Sequence, residues 1–204
     1  MYHIFIFICN FAPIFISCNA KTRTKRHIIM TEFKTIVANR RSHRKFTTEE
    51  IDSEAVKLIL RAALMSPTSK SSRSWHFVVV EDKMTIEKIA DAKDMGSQFL
   101  KEAPLVVVVT GCPDINDCWI EDAAIASVSM QYQAEELGLG SCWAQFDKRG
   151  LTDGTTANEV IAGILNLPDD QRVLCAIAFG HPADERKPQS DDKLKWENVH
   201  IGQF

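Results

Sequence analysis

The chain has 204 residues, enough for one well-buried core and too few for a second. Apolar residues make up 45% and charged residues 25%, as in an ordinary globular protein, and the net charge of −3 excludes a global basic field of the kind that holds nucleic acid. The six cysteines include no CxxC pair and no Cys/His spacing of the zinc kind, so no metal site is expected.

Tyr2 to Ser17 is apolar, but Asn10 and Pro13 interrupt it, and it is shorter than the ~20 residues a spanning helix needs. No basic segment precedes it, as a signal peptide requires; the basic cluster Lys21 to His27 follows it instead. Residues 1–29 are therefore expected to be a leader outside the fold, and residues 30–204 the domain of a cytoplasmic protein with no membrane partner. Thr35 to Arg41 reads as a short helix. Thr47 and Glu50 have capping-box spacing, and Ser53 is a second candidate cap for the helix carrying Val56, Ile59, Leu60, Ala63 and Leu64. Pro67 stops that helix, and the polar loop Thr68 to Ser74 follows.

His76 to Glu81 reads as a strand, Met84 to Ala92 as a helix, and Leu105 to Thr110 as a central strand, apolar on both faces. Asp117 to Leu137 is an alanine-rich helix stopped by Gly138 and Gly140. Ser141 to Ala144 is a brief strand. Thr156 and Glu159 have capping-box spacing ahead of Val160, Ile161, Ile164 and Leu165, and Pro168 stops that helix. Arg172 to Phe179 is another buried strand, and Val199 to Phe204 reads as an extended arm. Cys142 and Cys175 lie in apolar runs and read as buried thiols. This order predicts a central sheet covered by helices, but periodicity alone leaves parallel and mixed sheets open. The GxGxxG of a dinucleotide fold is missing between any strand and helix.

No GxSxG elbow, P-loop or Ser/His/Asp arrangement supplies a protein-borne reactive group, and no catalytic side chain is assigned. That pattern points to a bound cofactor or to a protein without catalysis. Three segments could hold a ligand. Arg40-Arg41-Ser42-His43-Arg44 carries guanidiniums suited to a phosphate, although composition alone favours a solvated basic patch. Ser66-Pro67-Thr68-Ser69-Lys70-Ser71-Ser72-Arg73-Ser74-Trp75-His76-Phe77 offers hydroxyls and amides for a polar heteroaromatic edge, although taken alone it reads better as a surface turn. Glu136-Leu137-Gly138-Leu139-Gly140-Ser141-Cys142-Trp143-Ala144-Gln145-Phe146 has glycines that permit close backbone approach, or is a helix end followed by a core strand.

In this order and at these separations, the segments resemble the nitroreductase family of FMN-dependent oxidoreductases, from about residue 34 to the C-terminus. The first resembles the family's Arg-Arg-Ser-x-Arg run, the second its Ser-Pro-Ser-x-x-Asn-x-Gln-Pro-Trp-x-Phe loop, and the third its Gly-Leu-Gly-x-x-Trp segment. Ile177 to Pro182 resembles its strand ending in Gly-Tyr-Pro.

The resemblance implies an α+β fold with a mixed, largely antiparallel central sheet flanked by helices. It also implies a homodimer with FMN at the interface. NADH or NADPH would deliver hydride to the flavin, and a small acceptor such as a nitroaromatic or quinone would leave with the electrons in a ping-pong cycle. Enoate reduction, dehalogenation, flavin breakdown and flavin binding without turnover are the alternatives on this scaffold.

By the same resemblance, Arg40, Arg41, Ser42 and Arg44 hold the phosphate, ribityl chain and pyrimidine edge. Pro67, Thr68, Ser69, Lys70, Ser71 and Arg73 approach from the partner subunit. Trp143, Ala144 and Gln145 lie beside the reactive edge, with a backbone amide near N5. Lys193 and Lys195 match the family's late phosphate-binding pair, with Arg186 and Lys187 as nearer rivals. Ser71, Arg73-Ser74 and His181 depart from the family's Asn, Gln-Pro and Tyr, which bears on substrate and reduction potential.

Overall fold

A computed structural model describes residues 32–204 of the chain. The leader, with Cys9 and Cys18, lies outside the described residues. Among the described residues, five helices surround a four-stranded sheet. The helices are α1 (Phe33–Asn39), α2 (Ser53–Leu64), α3 (Lys83–Ala90), α4 (Trp119–Glu136) and α5 (Ala157–Leu165). The strands are β1 (Trp75–Val80), β2 (Leu105–Gly111), β3 (Gly140–Gln145) and β4 (Arg172–Gly180).

The strand order is β1-β2-β4-β3, and every strand pair is antiparallel. This excludes a doubly wound parallel sheet and gives the expected α+β class. The parallel contact recorded among the described residues is an isolated bridge from Ser42 to Ser141, at the outer edge of β3.

Burial explains the layering. Every residue of β2 is buried. Val106 and Val108 face one apolar cluster with Ile86 and Ile89 of α3 and Ile161 of α5. Leu105, Val107 and Val109 face the other cluster, with Ile59 of α2 and Ala123, Ala126 and Met130 of α4. Two-sided burial is why these strands read as continuous apolar runs rather than alternating ones. Cys142 and Cys175 are buried free thiols, as expected, and burial pushes the Cys175 thiol far up.

The capping signals divide. Thr156 and Glu159 form the capping box that starts α5. No helix begins at Thr47, and Ser53 is the first helical residue rather than the cap. The Asp52 carboxylate takes that role, accepting from the Glu54 N–H at 2.8 Å. A carboxylate at this position also faces the positive end of the helix dipole, an advantage that serine lacks. The first helix starts two residues before its expected Thr35, and Arg40 is its C-cap.

At the far end of α4, Leu139 N–H reaches Ala134 O at 2.8 Å and Gly138 N–H reaches Glu135 O at 3.0 Å. Gly138 has φ +73, so this termination needs a left-handed residue and aims the chain directly into β3. The tail beyond β4 holds two short 3-10 turns, Asp191–Lys193 and Trp196–Asn198, and Val199 to Phe204 is exposed with no strand partner.

Candidate functional site

The basic run lies across the outer edge of β3. Ser42 bridges Ser141, and His43 N–H donates to Ser141 O at 3.0 Å. A glycine pair makes room for it. Gly140 and Gly180 are register partners. A Cβ on Gly140 would stand 2.9 Å from the His43 side chain, and one on Gly180 would stand 2.8 Å from Phe46. The glycines of the third segment therefore let the first segment pack on the sheet.

The chain after β4 closes over the same run. Phe46 bridges Pro182, and Gln189 N–H donates to Ala38 O at 2.8 Å. Arg41 donates to the Lys187 carbonyl. Buried His43 meets Asp184 at 2.9 Å through Nδ1, and Asp184 also accepts from Arg186, at 2.7 Å from Nε and 2.6 Å from Nη2.

Burial pushes the Asp184 carboxyl up, but the His43 bond and Arg186 outweigh it and hold it below the usual carboxylate range. A depressed carboxyl stabilises the fold above its unfolded value of about 3.9 and loses that contribution as pH falls through the folded value. The wild type is therefore expected to lose more thermal stability than Asp184→Asn between pH 5 and pH 3. Parallel melting curves for the two proteins would contradict this anchor.

Burial raises the Cys142 thiol, against the opposing pull of Arg44, Ser42, Arg40 and Arg186. Among the described residues, neither Arg40 nor Arg44 enters an ion pair, and Arg44 lies 5.8 Å over the Phe99 ring. Arg41 and Lys193 line one small polar cavity of about 180 Å³ with Ser190. This favours Lys193 over the rivals for a late anion contact. Arg186 is committed to Asp184, and Lys187 offers Arg41 its carbonyl. Lys195 stands exposed outside the cavity lining.

The edge of β3 beyond Ser141 is a short open window. Ser141 O points outward to His43, whereas Phe146 N–H points inward to Leu174 O at 3.0 Å. Strand alternation then turns the backbone of Trp143 and Gln145 outward and that of Ala144 toward β4. Ala144 is 1% exposed, with its methyl in the core, so it offers no polar group to the window. The Gln145 carbonyl is already taken by the buried Lys93 ammonium, at 2.8 Å. Trp143 Nε1 donates to Gln145 Oε1 at 2.9 Å, which joins the two side chains. The window therefore presents the N–H groups of Trp143 and Gln145 and the carbonyl of Trp143, flanked by arginines.

The 67–73 loop is held elsewhere. Asp122, 3% exposed in α4, accepts from Ser69 N–H at 2.8 Å and from Asn116 Nδ2 at 2.7 Å. Asp122 also accepts from the Ser72 hydroxyl at 3.2 Å. Thr68 accepts from Arg73 N–H at 3.2 Å, and Ser66 at the head of the loop donates to Ser129 at 2.9 Å. Lys70, Ser71 and Arg73 all have left-handed φ, at 51, 55 and 49 degrees. Pro67 adds only its ring. Among the described residues, no side-chain bond links this loop to the Arg40–Arg44 run of the same chain.

Sequence reasoning missed Asp122, Asn116, Lys93 and Asp184. A signal existed only for Asp122, a carboxylate on the helical face that otherwise carries Trp119, Ala123 and Ala126. Lys93 and Asp184 owe their positions to contacts with distant parts of the chain.

The fold is a helix-covered antiparallel sheet with a cationic, partly open strand edge suited to a polar ligand. The comparisons place it further. A model of the nitroreductase family matches residues 37–96 and 91–181. An FMN-dependent nitroreductase from Clostridium difficile R20291 is 40% identical, with 83% of this chain and 98% of that one covered and a TM-score of 0.81. A putative NADH dehydrogenase/NAD(P)H nitroreductase of Archaeoglobus fulgidus is 28% identical over 176 residues, 84% of this chain and 98% of the relative. A similarly described structure from Parabacteroides distasonis has a TM-score of 0.76 at 25% identity. The chain belongs to the nitroreductase family.

Proposed function

We propose that this protein is an FMN-dependent oxidoreductase drawing on NADH or NADPH, with nitroaromatics or quinones among its small-molecule acceptors, in a ping-pong cycle. The observation that carries the reading is the open window of β3. Outward N–H groups of Trp143 and Gln145 suit the polar edge of an isoalloxazine ring. Arg40, Arg41, Ser42, Arg44 and Lys193 offer donors for a phosphorylated side chain. Bound FMN would supply reversible hydride and electron transfer. The chain's own residues bind it, orient its ring against the strand edge and set the surrounding charge. The relatives described as NAD(P)H nitroreductases support the donor, and the similar FMN-dependent structure supports the cofactor.

A homodimer completes the reading. Among the described residues, no side-chain bond ties the 67–73 loop to its own chain's arginine run, as expected of a loop that serves a neighbouring copy. Beyond Lys193, the large apolar groups Trp196, Val199, Ile201 and Phe204 stand 60% exposed or more, as an arm that covers a second copy would leave them.

The protein, made both as the full chain and from Met30, is expected to purify yellow and to release FMN on heating. Light scattering should give a dimer, and NADH or NADPH oxidation should accelerate on addition of a quinone. FAD, or no flavin even after reconstitution, would sink the cofactor assignment, and a flavin-loaded monomer would sink the assembly.

A further inference from the structure

Lys93 is a buried cation, 7% exposed, in the turn after α3. Its ammonium donates to Gln145 O at 2.8 Å and lies 5.2 Å from the centre of the Phe146 ring. Gly96 folds back over it, since a Cβ there would stand 3.7 Å from Nζ. Among the described residues, no ion pair includes Lys93. The neighbouring Asp94 carboxylate is engaged by the Thr152 hydroxyl at 2.7 Å, and its backbone N–H by Gly150 O. Burial and the nearby Arg149 both lower the Lys93 pKa, so the position is costly for a cation. A buried charge without a carboxylate partner is uncommon, and an apolar residue could fill the same space at less cost.

What the lysine does there follows from the strand edge. The Gln145 carbonyl is the last outward acceptor of β3. With Lys93 on it, the open window ends there, and the Gln145 backbone is held with its N–H outward. The charge sits on the outer side of the strand, at the closed end of that window. We propose that Lys93 is a positioning residue for flavin reduction: it fixes the Gln145 edge peptide and places a positive charge at the end of the strand edge that receives the flavin's reactive edge. This rests on the FMN reading above. A reduced flavin carries more negative charge than an oxidised one, so a fixed cation close to the ring favours the reduced form.

The test uses the full-length FMN-loaded protein as wild type, Lys93→Met, Lys93→Arg and Lys93→Gln. The midpoint potential is measured by equilibration with reference dyes, and FMN affinity by fluorescence titration. Lys93→Met is expected to lose about tenfold in its preference for reduced over oxidised FMN. That corresponds to a potential about 30 mV lower for a two-electron couple. Lys93→Gln keeps a donor without the charge and should show the same fall, which secures the result if the methionine variant folds poorly. Lys93→Arg should recover at least half of the shift. A folded Lys93→Met or Lys93→Gln with the wild-type potential would overturn the inference. So would an arginine variant as low as the methionine one, because packing alone would then explain the lysine. A wild-type protein that takes up no FMN would instead overturn the cofactor reading itself, and this inference with it.

Discussion

Alanine at Arg40 or Arg44 is expected to weaken FMN binding by a factor of about ten to more than a hundred. Each substitution removes a charge-assisted hydrogen bond worth roughly 1.5–3 kcal/mol, at 1.4 kcal/mol per decade of affinity. The structure separates this effect from loss of stability. Among the described residues, neither arginine enters an ion pair, so neither variant strands a carboxylate. Arg40→Ala should move stability by less than about 0.5 kcal/mol, as surface changes usually do. Arg44→Ala also forfeits the contact with Phe99, worth about 0.5–1 kcal/mol at an exposed site. Arg41 is the poorer probe, because its bond to the Lys187 carbonyl ties it to the chain after β4.

Lysine at either position should rescue binding only in part, since it keeps the charge and loses the planar fork. If Arg44 lies near the pyrimidine edge and Arg40 on the phosphate, only the Arg44 variants should shift the flavin's potential. Titration of FMN by fluorescence quenching decides the matter. Wild-type affinity in both alanine variants would remove the arginine run from the site.

Asp122→Ala, in α4, is expected to be the most damaging single change to the anchoring of the second segment. It removes one carboxylate that serves three donors, Ser69 N–H, the Ser72 hydroxyl and Asn116 Nδ2. Asn116 is 6% exposed, so its amide would be left partly unpaired out of reach of bulk water. Bonds to a buried charge act as a unit rather than additively, and a loss of about 3 kcal/mol is expected. At about 2–4 °C per kcal/mol for a domain of this size, the melting temperature should fall by roughly 6–12 °C.

The loop itself should respond more strongly than the core. Lys70, Ser71 and Arg73 hold left-handed backbone conformations that only surrounding bonds can maintain. Without Asp122 the loop should relax, become a site of proteolytic cleavage, and take FMN binding down with it if it serves a neighbouring copy. Asp122→Asn keeps one acceptor and should fall between. A wild-type melting temperature together with unchanged cleavage of the 67–73 loop in Asp122→Ala would contradict the clamp.

Much of this was legible before any coordinates. The apolar run Leu105 to Thr110 could only be a strand buried on both faces, and the spacing of Val160, Ile161, Ile164 and Leu165 required a helix with Thr156 as its cap. Gly138 marked the end of α4 because the termination needs a left-handed residue. The three motifs in their order identified the family, since residue type and spacing are what a ligand-binding run must preserve. Such features are local, and sequence determines them because the competing conformations are separated by sterics and backbone hydrogen bonds within a few residues.

The tertiary structure decided what depends on distant segments meeting. The antiparallel pairing of all four strands was open to periodicity, because buried parallel and antiparallel strands carry the same apolar pattern. Asp52 rather than Ser53 caps α2, a choice set by where the helix begins rather than by which side chains could cap it. Pairing of Gly140 with Gly180 makes the track for His43 and Phe46, although the two glycines stand 40 residues apart. Lys193 joins Arg41 only because the chain after β4 folds back over the basic run. Asp122 shows in the sequence only its place on an apolar face of α4, which does not say that the 67–73 loop will bind it, and Lys93 beside Gln145 looks like an ordinary surface charge. Both became buried determinants of the site because long-range packing enclosed them.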